Sequence, residues 1–276
     1  MRRARLPRWT VGLVALLVPL LVGADDAVPP PSIAALRTWR SDWPRHCLRL
    51  ERANVPAPDV EHLERLVAYV EQERSVGAPL VAVARRERVP ICLDDGCRGL
   101  FGYYDAGSSW IGVRSDLTFP QQAVTLVHEL RHLDQVARGF APSLDHACSE
   151  AVRLVCAHEA DAQAVTALYA WRRRQLGDWD PWRALSGFER YADLPAAFAR
   201  VAAAGGDELA AAAATFERWF ASDWRTTTYR RNAASDFLDT LDERHAIERY
   251  DPLPPSHYQG FCVLPSGAAY DCDPVR

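Results

Sequence analysis

Two histidines four residues apart, His128 and His132, constrain the fold of this chain more than any other feature. Residues at positions i and i+4 lie on one face of an α-helix, with Cβ atoms about 6 Å apart, so the two imidazoles can converge on one metal ion. Glu129 follows the first histidine and lies beside that face, where it can take a proton from water. Zn²⁺ suits two imidazoles and a carboxylate, with a fourth position open to water. The spacing therefore predicts a zinc site on a helix, with Glu129 as the general base.

The residues around the motif support this helix. Pro120 suits a first helical turn, and Gly139 suits the position just after a last turn. The side that we expect to be buried carries apolar residues at helical spacing, at Val124, Val127, Leu130 and Leu133.

A second long helix is predicted at residues 149–175, and it carries the carboxylates of Glu159 and Asp161. Antiparallel packing of the two helices would bring Glu159 opposite the two histidines, which makes it the expected third metal ligand. Asp161 is expected to accept a hydrogen bond from a ligand histidine and so to fix its tautomer. The alternative is a solvated acidic pair on a helix face. If Glu159→Ala kept full zinc and activity, another ligand, such as His146, His158 or Asp161, would have to replace Glu159.

The segments HELRHLDQ at 128–135 and HEADAQA at 158–164 resemble the gluzincin metallopeptidases, in particular small bacterial families that pair an HExRH helix with an EADA helix. The resemblance covers about residues 80–175. It implies a zincin-like core, a zinc cofactor, and a peptide or protein substrate. Carried over residue by residue, it implies Glu129 as the general base and the zinc ligands His128, His132 and Glu159.

Two patterns of related peptidase groups are missing from the chain. No methionine follows Met1, so the Met-turn of the metzincins is absent, and so is the Asn-Glu-x-x-x-Asp pattern of the thermolysin group. The resemblance therefore implies no particular substrate preference.

The predicted fold class is α+β, with a small antiparallel sheet, the motif helix, the third-ligand helix and additional helices towards the C-terminus. A helix is predicted at residues 60–74 and another at 209–220. Four short segments, rich in β-branched or aromatic residues and separated by turn residues, predict the sheet at 80–84, 89–93, 99–104 and 109–114. In zincins the strand before the motif helix usually pairs with an extended substrate, which points to residues 109–113; an ordinary sheet edge is the alternative.

Composition and pattern divide the chain into five expected segments. They are a signal peptide at 1–24, a linker with a short helix (33–39) at 25–58, the zincin-like core at 59–178, a helical part at 179–250, and an irregular, disulfide-stapled tail at 251–276.

The first 24 residues have the layout of a secretory signal peptide. Arginines at positions 2, 3, 5 and 8 precede an apolar run of 12 residues at 11–22, and Val22-Gly23-Ala24 supplies small residues for cleavage after Ala24. That run is shorter than the ~18–20 residues that a membrane span needs. We therefore expect an exported protein, periplasmic or secreted, with no stable membrane insertion after cleavage. An uncleaved N-terminal anchor is the alternative.

All seven cysteines lie beyond the expected cleavage site, so most should be paired in an oxidising compartment. Cys92 and Cys97 are expected to close a tight turn, and Cys262 and Cys272 to staple the tail.

The other three cysteines leave one free thiol. Cys148 and Cys156 lie about 12 Å apart if they share a helix, which is too far for a disulfide. Cys47 is therefore expected to pair with one of them.

The net charge of −4 gives no electrostatic footprint for nucleic acid, so a nucleic-acid partner is not expected. The leading interpretation is a zinc metallopeptidase. A catalytically inactive, disulfide-stabilised zincin-like binding protein is the first alternative, and the intact Glu129 argues against it. A helical structural protein with a chance motif is the second, and Glu159 on its predicted helix argues against that.

Peptide hydrolysis also needs a hydrogen-bond donor for the oxyanion of the transition state. The candidates in the sequence are Tyr103, Tyr104, His146 and His158. Arg131, inside the motif, is expected to pair with a carboxylate on a neighbouring helix.

Overall fold

The computed structural model describes residues 43–95 and 99–273. The predicted signal peptide, the short helix predicted at 33–39 and Cys97 lie outside the described residues. None of the helices in the described ranges is long and apolar enough to cross a membrane.

The N-terminal part of the described chain is mainly helical. It contains α1 (Trp43–His46), β1 (Cys47–Leu48), α2 (Pro58–Glu71) and α3 (Gly77–Glu87). The helix predicted at 60–74 is confirmed as α2, which buries Val60, Leu63, Leu66, Val67 and Val70 at helical spacing.

The strand predicted at residues 80–84 is wrong, because this segment lies within α3. The carboxylate of Glu73 accepts hydrogen bonds from the N–H groups of Val76 (2.6 Å) and Gly77 (2.9 Å), which stabilises the start of the helix. Leu80, Val81 and Ala84 are then buried at a spacing of three and four residues. Capping and helical burial outweigh the β propensity of the valines here.

The sheet is mixed, so the prediction of an antiparallel sheet is wrong in part. Its other strands are β2 (Ile91–Asp94), β3 (Gly102–Asp105) and β4 (Trp110–Arg114), and the spatial order is β1-β2-β4-β3. β2 runs parallel to β4, whereas β1–β2 and β3–β4 are antiparallel. The connection from β2 to β4 passes through β3, which lies at the outer edge. β4, which was expected to pair with substrate, is therefore hydrogen-bonded to a strand on each side, and β3 is the edge strand on its side of the sheet.

Two long helices, α4 (Phe119–Ala137) and α5 (Cys148–Gln175), follow the sheet and pack against each other. Pro120 lies in the first turn of α4, as predicted, and the side chain of Gln121 accepts a hydrogen bond from the N–H of Thr118 (3.0 Å) in a capping box. α4 also contacts β3 and β4. The motif therefore lies between the sheet and α5.

The C-terminal part surrounds α5. It contains α6 (Asp180–Ser186), a 3₁₀ turn (Glu189–Tyr191), α7 (Asp193–Ala203), α8 (Glu208–Phe220), α9 (Asp223–Arg244) and a second 3₁₀ turn (Pro255–Tyr258). α5 contacts α4 and each of α6 to α9. Neighbours on all sides approach α5 closely because many of its buried residues are alanines. Glu159 therefore lies in the centre of the molecule.

Two disulfides close the described chain, and one of them differs from the prediction. Cys262–Cys272 is confirmed, but Cys92 pairs with Cys47 and not with Cys97. The reason is register: β1 and β2 are antiparallel neighbours, and Cys47 lies directly opposite Cys92. Cys148 and Cys156 both lie on α5, and neither forms a disulfide, so the prediction that Cys47 pairs with one of them is wrong.

Candidate metal centre

Three side chains expected to bind metal come together between α4 and α5. Nε2 of His128 lies 3.0 Å from Nε2 of His132. The Glu159 carboxylate lies 3.5 Å from Nε2 of His128 and 3.4 Å from Nε2 of His132. One ligand atom from each residue lies within 4.8 Å of the other two, and all three residues are buried. The two helices thus achieve the convergence that the i, i+4 spacing and antiparallel packing predicted.

The donor set fits a divalent cation. The side chain of Glu159 has no exposed surface, and its close polar neighbours are the imidazoles of His128 and His132 and the hydroxyl of Tyr229. A buried carboxylate without a full positive charge beside it costs several kcal/mol of the free energy of folding, so such a group calls for a counter-charge. Two imidazole nitrogens and one carboxylate are the ligands that Zn²⁺ takes in sites that keep a position open.

Burial and charge prepare these groups for metal binding. Burial lowers the pKa of His128, so its ring is neutral at pH 7 and keeps a lone pair for a metal. Burial by itself would raise the pKa of Glu159, whereas positive charge on the imidazoles of His132 and His128 lowers it. A cation bound between the three groups would supply such a charge and keep the carboxylate ionised.

Glu129 lies beside this cluster and is 1% exposed. Burial, followed by the charge of Glu159, raises its pKa well above the ordinary value, while the backbone N–H of Tyr104 on the edge strand donates a hydrogen bond to it. Gly102 makes this close packing possible. A Cβ at Gly102 would lie 2.6 Å from Cγ2 of Thr125 and 3.2 Å from Cγ of Glu129.

A narrow cleft leads to His128 and Glu129. It encloses about 30 Å³, which is room for one or two water molecules but not for a substrate side chain. Its walls are mostly apolar and are formed by Phe101, Val124, Thr125, Gln163, Thr166, Leu185, Phe188 and Tyr191. Phe101, before the edge strand, stacks on Phe188 with ring centres 4.2 Å apart. The segment from α6 to the first 3₁₀ turn thus covers the cleft.

Behind the cluster, Gln135 connects His132 to Asp161. Oε1 of Gln135 lies 2.9 Å from Nδ1 of His132, and its Nε2 donates to Asp161 at 2.6 Å. Since an ionised carboxylate only accepts hydrogen bonds, the amide must turn its NH₂ group to Asp161 and its oxygen to the histidine. Nδ1 of His132 then carries the proton, and Nε2 keeps its lone pair facing Glu159.

Asp161 was expected to contact a ligand histidine directly, but Gln135 lies between them. The main partner of Asp161 is Arg131, whose Nε and Nη2 donate hydrogen bonds to its carboxylate at 2.6 and 3.0 Å. This ion pair confirms the prediction that Arg131 pairs with a carboxylate on the neighbouring helix. Burial would raise the pKa of Asp161, but Arg131 and hydrogen bonds from Tyr270 and Gln135 keep it below the ordinary value.

None of the four residues expected to stabilise the oxyanion lines the cleft. Tyr103 donates to Asp94 at 2.7 Å, and the side chain of His158 stacks between the rings of His132 and Phe261. His146 lines a separate cavity, and Tyr104 contributes its backbone N–H to Glu129.

The sequence prediction missed two tyrosines near the cluster. Tyr191 lines the cleft, and its hydroxyl lies 2.8 Å from that of Tyr229 on α9. Burial and the Glu159 carboxylate raise the pKa of Tyr229 well above the ordinary value. Both tyrosines lie far from the motif in sequence, and no spacing links them to it, so only the tertiary fold reveals them.

The fold and this cluster define a mixed α+β protein that can hold one metal ion in a buried His, His, Glu site. The chain belongs to the family DUF6782, described as "Putative metallopeptidase family", whose model matches residues 35–272. That match extends well beyond residues 80–175, the part in which the motifs lie. Comparison with curated proteins and with solved structures found no match.

Proposed function

We propose that this protein is a zinc-dependent metallopeptidase of the gluzincin kind, which hydrolyses bonds in peptides or proteins. The convergence of His128, His132 and the buried Glu159 carboxylate next to the buried Glu129 carries this proposal. The description of its family as a "Putative metallopeptidase family" also supports it.

The residues divide the chemistry between them. Zinc, when bound, lowers the pKa of water towards ~7 and polarises the carbonyl of the substrate. Glu129 takes the proton from the attacking water and passes it to the leaving amine. Its burial raises its pKa, which makes it a stronger base than an exposed carboxylate. The apolar cleft excludes bulk water, which strengthens each of these electrostatic contacts.

The substrate would enter as an extended chain along β3. β3 is the edge strand, and the backbone of its residue Tyr104 contacts Glu129. Strand addition places a substrate backbone beside such an edge. The cover formed by Leu185 and Phe188 must move for this to happen, since the cleft is too small for a side chain as it stands.

We also propose that the protein works outside the cytoplasm. The disulfides Cys47–Cys92 and Cys262–Cys272 support this, because such bonds persist in oxidising compartments.

The test measures zinc content and hydrolysis of a mixed peptide library for three proteins. Wild type should bind one zinc per chain and cleave peptides. Glu129→Gln should keep the zinc and lose nearly all turnover, because it removes the base and leaves the ligands intact. Glu159→Ala should lose most of its zinc.

Two results would contradict this assignment. Full zinc content and activity in Glu159→Ala would exclude Glu159 as a ligand. Zinc in the wild type without hydrolysis of any peptide would favour a zincin-like binding protein.

A further inference from the structure

Residues 255–273, here called the stapled tail, contact the C-terminal half of α4 and the residue that follows it. Nη2 of Arg131 donates to the backbone oxygens of Phe261 (3.3 Å) and Val263 (3.0 Å). Nη1 of Arg138, the residue that follows α4, also donates to the oxygen of Val263, at 3.1 Å. Arg131 has no exposed surface, so water cannot serve as its hydrogen-bond acceptor, and the backbone oxygens of the tail take that place.

The tail also contacts Asp161 directly. The hydroxyl of Tyr270 donates to Oδ1 of Asp161 at 2.5 Å, and the whole Tyr270 side chain is buried. Asp161 accepts a hydrogen bond from the side-chain NH₂ of Gln135, and the side-chain oxygen of Gln135 accepts one from Nδ1 of His132. An unbroken series of buried hydrogen bonds therefore runs from the tail to a candidate metal ligand.

The disulfide makes the tail a single unit. Cys262 lies between the two residues whose carbonyls bind Arg131, and Cys272 lies two residues after Tyr270. Between them, Val263 pairs with Ala269, and the N–H of Tyr270 donates to the oxygen of Cys262 at 3.1 Å. The bond thus ties the acceptors of Arg131 and the donor to Asp161 into one closed loop.

We propose that the stapled tail is a positioning element for the metal ligand His132, and that zinc binds tightly only when Cys262 and Cys272 are joined. The proposal rests on the proposed function, since it assumes that zinc is bound at this cluster. With the loop open, Asp161 loses its hydrogen bond from Tyr270, and water reaches Arg131. Asp161 is then free to shift, and Gln135 no longer holds the ring of His132 in one orientation.

The first experiment measures the zinc dissociation constant of the full chain by competition with a chromophoric chelator. The double variant Cys262→Ser/Cys272→Ser should bind zinc 10–100-fold more weakly, the usual effect of removing support for a ligand. The variant Cys47→Ser/Cys92→Ser is the matched control, since it opens the other disulfide, between β1 and β2, and leaves the tail closed. Its affinity should stay close to that of the wild type.

A second variant keeps the proposal testable if the open tail prevents folding. Tyr270→Phe retains the disulfide and removes one hydroxyl. Tyr69→Phe is its control, because the hydroxyl of Tyr69 donates to Asp178 at the same distance of 2.5 Å, at a place remote from the cluster. Cobalt(II) in place of zinc should give an altered visible spectrum in Tyr270→Phe and an unchanged one in Tyr69→Phe. A purely structural role of Tyr270 would leave that spectrum unchanged.

The outcomes separate the two proposals. If the wild type binds no zinc, both fail. If the wild type binds zinc, and Tyr270→Phe and the folded Cys262→Ser/Cys272→Ser variant bind it equally well with an unchanged cobalt spectrum, the tail has no positioning role. In that case the proposed function stands.

Discussion

At the scale of single residues, the cleft holds a hydroxyl whose role can be measured. Tyr191 lines the same space as His128 and Glu129, and its hydroxyl contacts Tyr229. A phenol beside the reacting carbonyl can donate a hydrogen bond to the oxyanion that develops in the transition state.

Tyr191→Phe should therefore lower kcat by roughly 10²-fold or more, as loss of one oxyanion donor does elsewhere. Zinc affinity should be unchanged, because Tyr191 is not one of the three candidate ligands. Steady-state kinetics on a peptide cleaved by the wild type, with zinc titration of the same sample, checks both. A kcat equal to that of the wild type would show that Tyr191 does not serve the reaction.

How well the site residues could be predicted depends on sequence distance. His128, Glu129 and His132 follow from helical spacing alone, and Glu159 needed only two helices packed together. Gln135 is local to His132, one turn away, but an amide carries no strong motif signal. Tyr270 contacts Asp161 across 109 residues, and nothing in the local sequence marks it. Sequence patterns identify the candidate ligands and miss the residues that hold them in place, because those residues come from whichever element the tertiary fold brings near.

At the scale of elements, α9 carries a carboxyl group with a distinctive pH response. Burial, aided by the charge of Asp239, raises the pKa of Asp236 from 3.8 to about 6. When the pKa of a carboxyl group is higher in the folded than in the unfolded state, the group does not change the free energy of unfolding at pH values below its unfolded-state pKa, because it is protonated in both states. Its ionisation destabilises the folded state progressively as pH rises from about 4 through about 6.

Asp236→Asn should thus stabilise the protein at pH 7, by up to about 2–3 kcal/mol, and the gain should fade as pH falls to 4. Urea unfolding at both pH values measures it. Asp242→Asn, at an exposed carboxylate on the same helix, is the control and should have little effect. An equal gain for Asp236→Asn at pH 4 and pH 7 would contradict the assigned pKa.

α2, α4 and α5 each lie close to the predicted range. Burial in α2 follows one helical period, whereas the central parts of α4 and α5 are buried on all sides, and these two helices were predicted mainly from the motifs they carry and the residues at their ends. Leu80–Ala84 is a short valine-containing run, and such runs do not distinguish a strand from a buried helix. The parallel pairing of β2 with β4 was not predictable either, because short strands separated by turns favour hairpins in any local interpretation.

At the scale of the whole molecule, metal should contribute strongly to stability. A ligand that binds only the folded state at 1,000 times its dissociation constant adds about 4 kcal/mol. The Glu159 carboxylate is buried, so the metal-free protein, which lacks the positive charge of the ion beside it, should be the less stable form. Removal of zinc by a chelator should therefore lower Tm by roughly 10 °C, since a domain of this size shifts about 2–4 °C per kcal/mol.

Thermal unfolding followed by circular dichroism, before and after chelation, checks this expectation. Zinc added back should restore the original Tm, and magnesium should not, since it prefers oxygen ligands. An unchanged Tm after verified metal removal would show that metal binding at the cluster does not stabilise the folded state.

The position of the stapled tail in the chain also affects timing. A chain that emerges during synthesis presents α4 and α5 roughly 100 residues before Tyr270, a delay of roughly 5–20 s at ordinary synthesis rates. During that interval the ligands are present, but the last support of His132 is not. If zinc binds tightly only with the tail closed, metal binding must wait until the last residues have been made and Cys262 and Cys272 are joined. The order of the elements would then delay the activity proposed above.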